Sequence, residues 1–392
     1  MGRSGWGIID SKRGFATRSW LPSRTPTRYH FREIRCLQPH CCPSPMTPRP
    51  PAHWTRRNLL TTGLAVTALP GALTTQSRAA QEGVARPPAG QNRPSPSPDE
   101  LRTWLENMVW YHRYTPAEIS EVTGLDPTDL AKLLAQFEIT PDNAPRRAAE
   151  APLLVLPYPG GRHPRIGFLD GAIEPQRETK ISVFTPWDPA SYVVADIPEA
   201  LWSNLGLTYL AHTHIPTVWD KQDITLERLE WRRTAEGALD CERRLPNGIA
   251  FRTRVVAGRD AVRMSLRLVN GSPQPLSDLR VQNCVMLRGA RGFDQQTNDN
   301  KVLQSPYVAV RSETGNRWII TAWDPCQRAW ANPPCPCLHS DPQFPDCGPG
   351  ETRHLRGWLS FHEGPDIQQE FARIEQTGWR STREWVAQIP EA

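Results

Sequence analysis

What most constrains the fold of this chain is a change of period at Pro152. From there on, apolar and polar residues alternate in short runs: Thr179–Phe184, Thr225–Arg232, Ala238–Arg243, Ile249–Val256, Ala261–Leu268, Leu279–Leu287, Tyr307–Arg311, Trp318–Ala322 and His354–Phe361. A strand sends successive side chains to opposite faces, so each run reads as a half-buried strand. Turn residues separate the runs, among them Ala235-Glu236-Gly237, Pro246-Asn247-Gly248, Gly258-Arg259-Asp260 and Asn270-Gly271-Ser272-Pro273. Many short strands joined by hairpin turns imply an antiparallel sandwich or barrel and exclude a parallel α/β sheet. In Arg263–Val269 the apolar set Met264, Leu266 and Leu268 points inward. Pro365–Thr377 reads as a closing helix with Ile367, Phe371 and Ile374 on one face. The expectation is a mainly β chain: an antiparallel β-sandwich over residues 152–380, preceded by a small three-helix module.

Upstream the character is different. Thr55-Arg56-Arg57-Asn58-Leu59-Leu60 resembles a twin-arginine export motif, with Arg56 and Arg57 as the signal pair. An apolar run from Leu59 to Leu69 follows, too short to span a membrane stably, and Ser77-Arg78-Ala79 offers small residues for cleavage. Residues 46–79 therefore read as a signal peptide for export to the periplasm or the extracellular space, leaving no stable membrane span after its removal. Met46 makes a natural start, so residues 1–45 read as a mis-assigned or disordered extension. Residues 80–97, rich in Pro, Ser, Gln and Gly, read as a disordered linker. The net charge of +5 also belongs to the front of the chain. Residues 1–79 hold 12 of the 46 Lys and Arg but only 2 of the 41 Asp and Glu, which leaves the remainder at −5. A mildly acidic body has no electrostatic footprint for nucleic acid.

Three helix starts follow within 98–140. Ser97-Pro98-Asp99-Glu100 and Thr115-Pro116-Ala117-Glu118 each pair an N-cap hydroxyl with Pro at the first helical position and Glu at the third, and Asp126-Pro127-Thr128-Asp129 nearly repeats the pattern. Leu101, Trp104, Leu105 and Met108 share a face, and Gly124 ends the second helix. Thr115–Phe137 resembles a helix-turn-helix. Its second helix, however, carries Asp126 and Asp129 against a single cation, Lys132, so phosphates would repel it. A packing or docking module, with a protein partner for residues 98–140, is the better reading.

Leu245-Pro-Asn-Gly-Ile-Ala-Phe251, Gly258-Arg-Asp-Ala-Val262, Leu268-Val-Asn270 and Gly350-Glu-Thr with its late strand resemble the large sandwich of galactose-mutarotase-like proteins. The resemblance spans about residues 152–362 and lies in rhythm and turns. It implies a mutarotase-like supersandwich and a carbohydrate-directed role. That architecture occurs in sugar epimerases and in domains of polysaccharide lyases and glycoside hydrolases. The family's catalytic His and Glu have no counterpart that can be placed here, so the resemblance does not support epimerase activity.

Several clusters could carry chemistry. In Gly206–Asp220, His212 and His214 stand two residues apart, so on a strand both imidazoles face one way and could share an ion or a substrate. Asp220 could serve as a third ligand or orient an imidazole, and Trp219 stands beside it. Gly206 ahead of His-x-His resembles the opening of a cupin metal motif, but Val218 and Trp219 stand where its Glu belongs, against cupin chemistry. A divalent metal, a sugar-contacting cleft and purely structural histidines all fit. Trp187-Asp188, Trp219-Asp220 and Trp323-Asp324 could each stack an indole on a sugar face, or could be core tryptophans beside turn aspartates. The polar loop Arg288–Lys301 carries Arg288, Arg291, Asp294 and Asn298, a set suited to vicinal hydroxyls or a sugar carboxylate. Cys326, Cys335, Cys337 and Cys347 crowd one Pro-rich loop with His339, Asp341 and Asp346. Disulfides are the first expectation in an exported chain, with metal binding or free thiols as alternatives; the Cys-x2-Cys spacing favoured by zinc is missing. Cys241 and Cys284 lie within strands. The residues thus point first to a protein that binds or processes glycan or another small polar ligand. A metal-dependent enzyme and a non-catalytic interaction protein are the competitors.

Overall fold

The computed structural model describes residues 97–166, 177–211 and 215–381. The N-terminal extension, the signal with Arg56 and Arg57, the linker, and His212 and His214 lie outside them. Two antiparallel sheets face each other. The seven-stranded sheet runs β1(Val155–Pro157), β2(Lys180–Phe184), β3(Tyr192–Ser203), β9(Val281–Met286), β14(Cys337–Pro342), β13(Cys326–Asn332), with β4(Gly206–Leu210) paired to β3. The eight-stranded sheet runs β10(Lys301–Gln304), β11(Tyr307–Arg311), β12(Arg317–Asp324), β15(Thr352–Glu363), β8(Ala261–Asn270), β7(Ile249–Ala257), β6(Leu239–Arg244), β5(Arg232–Arg233). Between them lies one apolar core, with Val183, Val193, Leu201 and Val285 from the first sheet and Phe251, Met264, Leu266 and Leu268 from the second. This is the expected antiparallel sandwich.

Both outer faces are covered. The helix α4(Ile367–Gln376) lays Ile367, Phe371 and Ile374 on the eight-stranded sheet. On the seven-stranded sheet sit the N-terminal helices α1(Pro98–Glu106), α2(Pro116–Thr123) and α3(Pro127–Gln136), with a π-helical turn, Asn107–Tyr111, closing α1. The caps are those read from sequence: Ser97 accepts from Glu100 N, Thr115 and Glu118 form a reciprocal capping box, and Asp126 accepts from Thr128 N. Gly124 closes α2 at φ 75°, in the left-handed region where glycine meets no Cβ penalty. These helices share a small core of their own and dock on the sandwich. Asn107 Nδ2 donates to Pro157 O (2.8 Å), Tyr114 Oη donates to Gly160 O (2.5 Å), and the Arg177 guanidinium stacks on Trp104. The strap 158–166 lies between helices and sheet. Its Arg162 clamps Glu118 and donates to the carbonyls of His112 and Arg113.

The structure departs from the sequence reading in three places. Thr225–Arg232 is an irregular segment, with only Arg232 entering β5. The twelve-residue β3 carries no alternation because it is buried on both faces, and Pro198, which has no N–H, breaks its register with β9 between Asp196↔Cys284 and Ala200↔Gln282. The Pro-rich stretch expected to be a cross-linked loop is the hairpin β13/β14, whose prolines Pro333 and Pro334 occupy the turn beyond the pair Asn332↔Cys337.

Candidate functional site

The described residues of the Gly206–Asp220 segment close a polar cavity. Trp219 is buried, with Nε1 donating to Thr208 O (2.7 Å). Asp220 Oδ2 accepts from Thr217 N (2.7 Å) and Thr217 Oγ1 (2.8 Å), tying the start of a short 3-10 turn, Asp220–Gln222, to the loop before it. Ala211, next to His212, lines a cavity of about 130 Å³ with Tyr209, Trp219, Asp220, Glu178 and Arg243. Glu178 Oε2 accepts from Arg243 Nη2 (2.7 Å) and from Tyr209 Oη (3.3 Å). Through Thr225, Leu226 and Arg243 the cavity adjoins an open groove of about 560 Å³ between residues 225–232 and the β6 turn at Glu242–Pro246. Charges of both signs line the groove: Glu227, Arg228, Glu230, Arg232, Glu242 and Arg244.

The other nominated residues lie apart from that groove. Arg288 Nη1 donates to the carbonyls of His163 (3.2 Å) and Arg165 (3.1 Å), pinning the strap. Arg291 pairs with Asp188 across 3.1 Å, and Asp294 and Asn298 occupy the same loop, Asn298 O accepting from Lys301 N. Trp187 stacks on Phe293 (5.9 Å between centroids), and Trp323 is buried against Gly357, where a Cβ would stand 2.6 Å from the indole. Each Trp-Asp pair therefore places its indole in packing.

The second constellation is one that the sequence reading did not assemble. The register Cys337↔Met286 and Leu338↔Val285, carried one residue further, sets His339 beside Cys284 on the outer face of the seven-stranded sheet. Ligand atoms of Cys284, Cys337 and His339 all lie within 4.8 Å of one another. Cys337 Sγ is 3.1 Å from His339 Nε2, and Cys335 Sγ is 3.8 Å from Cys337 Sγ. His339 Nδ1 donates to Asn283 O (2.9 Å), and its ring stacks on Trp330 at 3.9 Å and 11°. Trp330 Nε1 and the Arg328 guanidinium both donate to Asp341 Oδ2, and Asp341 Oδ1 stands 3.7 Å from His339 Nδ1. Burial pushes the Cys284 thiol up, but the hydrogen bond from Cys337 and the charges of His339 and Arg165 hold it at about 6. Burial pushes His339 down, yet Cys284 and Asp341 outweigh it and raise the imidazole to about 10. Hydrogen bonding to Cys284 and Cys335 raises Cys337, and the same bond lowers Cys335.

Cys337, His339 and Asp341 follow the order of a nucleophile, base and orienter. Cys337 and His339 are only 1% and 2% exposed, so a substrate cannot reach them in this conformation. The expectation of disulfides is corrected here: among the described residues Cys241, Cys284, Cys326, Cys335, Cys337 and Cys347 are all free thiols. Cys335 and Cys337 project from one face with their sulfurs at non-bonded distance, Cys326 receives Ser340 Oγ, and Cys347 donates to Glu351 O. The sequence signal for this cluster was Cys335-x-Cys337-x-His339, three residues at strand spacing.

No family model and no curated protein matches this chain. Among solved structures it is similar to a human-microbiome protein that carries the name kojibiose phosphorylase, at 6% identity and a TM-score of 0.31, over 57% of this chain and 29% of that one. It is also similar to the Slr1438 protein of Synechocystis sp. PCC 6803, at 12% identity and a TM-score of 0.28, over 47% of this chain and 88% of that one. The chain thus spans less than a third of the phosphorylase's length, and likenesses this distant carry no argument about activity.

Proposed function

We propose that this chain is an exported β-sandwich protein that binds carbohydrate or a similarly hydroxyl-rich ligand in the groove between residues 225–232 and the β6 turn. The observation that carries the reading is the interleaving of Glu227, Glu230 and Glu242 with Arg228, Arg232 and Arg244 around about 560 Å³ of open space. A vicinal diol offers donors and acceptors together, and a wall of carboxylates and guanidiniums answers both. The volume falls within the range of small-ligand clefts. The adjoining cavity, lined by Glu178, Tyr209, Ala211 and Arg243, extends the same polar surface. Export to the periplasm or the extracellular space rests on Arg56 and Arg57.

The test is a glycan array on the purified mature chain, followed by calorimetry with the best binder. Replacing the exposed Glu227 and Arg228 together by alanine should weaken binding at least about ten-fold while leaving the melting temperature within about 2 °C. A folded chain that retains no glycan sinks the reading.

A further inference from the structure

We propose that Cys284, Cys335, Cys337 and His339 form a tetrahedral zinc site on the outer face of the seven-stranded sheet. Zinc bonds thiolate sulfur at about 2.3 Å and imidazole nitrogen at about 2.0–2.1 Å, so neighbouring ligands in a tetrahedron stand roughly 3.5–3.8 Å apart. The Cys335–Cys337 separation of 3.8 Å matches that edge, and 3.1 Å from Cys337 to His339 needs only a small relaxation. Cys284 on β9 lies within 4.8 Å of both Cys337 and His339, and Cys335, in the turn ahead of β14, stands outside that three-residue group and would swing in as the fourth ligand. Three sulfurs and an imidazole are a soft donor set, and closed tetrahedral Cys3His centres are a standard form for zinc.

The surroundings of His339 point to a ligand independently. Its Nδ1 donates to the Asn283 carbonyl, which assigns Nε2, the nitrogen aimed at Cys337, to the metal. Metal-bound histidines are held in this way, by a carbonyl or carboxylate on the far nitrogen. Trp330 fixes the plane of the ring, and its Nε1 joins Arg328 in fixing Asp341 behind it. Metal binding would expel the thiol protons and the Nε2 proton to solvent. The cluster lies away from the groove, so this inference does not depend on the carbohydrate reading.

The experiment uses the full chain, purified without chelators and without an immobilised-metal column, with its metal measured by mass spectrometry. About one zinc per chain is expected. Exchange with cobalt(II) should give thiolate-to-cobalt charge transfer together with the intense visible bands of a tetrahedral ion. Cys284→Ser and Cys337→Ser should each lower zinc affinity at least about ten-fold, whereas Cys326→Ser, outside the cluster, should keep the full content. The cobalt spectrum is read on the unaltered chain, so it decides the question even if a cysteine variant fails to fold. Three results would overturn the site: a zinc-free chain that gives no tetrahedral cobalt spectrum, a disulfide mapped between any two of the three cysteines, or iron in the place of zinc.

Discussion

The sandwich has two outer faces, and they are built on opposite plans. Under α4 the eight-stranded sheet is apolar: Ala309, Ile320, Ala322 and Trp358 meet Ile367, Phe371, Ile374 and Trp379. Phe371 stacks on Tyr307 at 4.5 Å and 12°, and Trp379 Nε1 donates to Tyr307 Oη (3.1 Å). On the seven-stranded sheet the outward positions of β2, β3, β9 and β14 mix apolar Phe184, Tyr192, Val194 and Met286 with Lys180, Asp196, Cys284, Cys337, His339 and Asp341, all of them buried. Apolar burial stabilises whatever it covers, whereas a buried charge or thiol stabilises only when it has a partner, and even then less. The first face holds the molecule together, and the second places reactive groups side by side.

If that contrast is right, truncating Phe371 to alanine should be the most damaging single change. It removes a stacked ring from a site 3% exposed and should cost about 3–5 kcal/mol by urea denaturation, with no loss of zinc or glycan binding. A change on the polar face should behave differently. Lys180 and Asp196 are fully buried, with Nζ and Oδ2 2.9 Å apart, and Thr179 Oγ1 donates to the other carboxylate oxygen. Lys180→Met should cost about 3 kcal/mol, because it strands Asp196, and adding Asp196→Leu should restore much of the loss. If the double variant were as damaged as the single, desolvation of the carboxylate would not be the cause.

Acid should separate the faces next. Burial among Tyr114, Tyr158, Phe184 and Tyr192, aided by Arg162, holds His112 at about 3, with Nε2 2.7 Å from Ser182 Oγ. Below the ordinary imidazole value of 6.5 the unfolded chain takes a proton that the native one refuses. The stability tied to His112 is therefore complete above that value and is lost as pH falls, by about 1.4 kcal/mol per pH unit, down to the folded value. Burial and the cations Arg165, Lys180 and Arg288 hold His163 at about 3 as well. The wild-type slope between pH 6 and about 4 should accordingly be steeper than that of His112→Gln by about this amount, and equal slopes would remove His112 as the cause.

Strands β7 and β8 and the helix α4 were legible in the sequence because each has one wet face and one dry one. In β8, Met264, Leu266 and Leu268 alternate with half-exposed Arg263, Ser265 and Arg267. The seven-stranded sheet was hard to read because it is covered on both sides. β3 and β14 are buried almost throughout, so period two vanishes, and prolines at 198, 333, 334 and 336 imitate loop composition. The thiol–imidazole cluster fell in that blind region. Its members come from β9, β14 and the turn ahead of β14, and only the pairing of those strands reveals that Cys284 belongs with Cys337. The N-terminal helices were clear from their caps, but nothing local in 98–140 disclosed that the chain's own sheet is what they cover.

The smallest expected effect concerns how that cover is fastened. Whereas α4 is held by rings, α2 is held at its first turn by Glu118, which closes the capping box on Thr115 N (2.8 Å) and receives Arg162 Nε (2.7 Å) and Nη2 (2.9 Å). Burial pushes the Glu118 carboxyl up, but the Arg162 and Thr115 hydrogen bonds outweigh it and leave it below the usual carboxylate value. Glu118→Gln keeps an oxygen for the cap and loses the charge that meets the guanidinium. The pair is partly exposed, so solvent screens it, and the substitution should cost only about 1 kcal/mol. A depressed carboxyl stabilises above its unfolded value and loses that contribution as pH falls through the folded one. The difference between wild type and Glu118→Gln should thus be present at pH 7, shrink as pH falls below the usual carboxylate range, and diminish in high salt. A difference that ignored both pH and salt would assign Glu118 to the cap alone and leave Arg162 held by the carbonyls of His112 and Arg113.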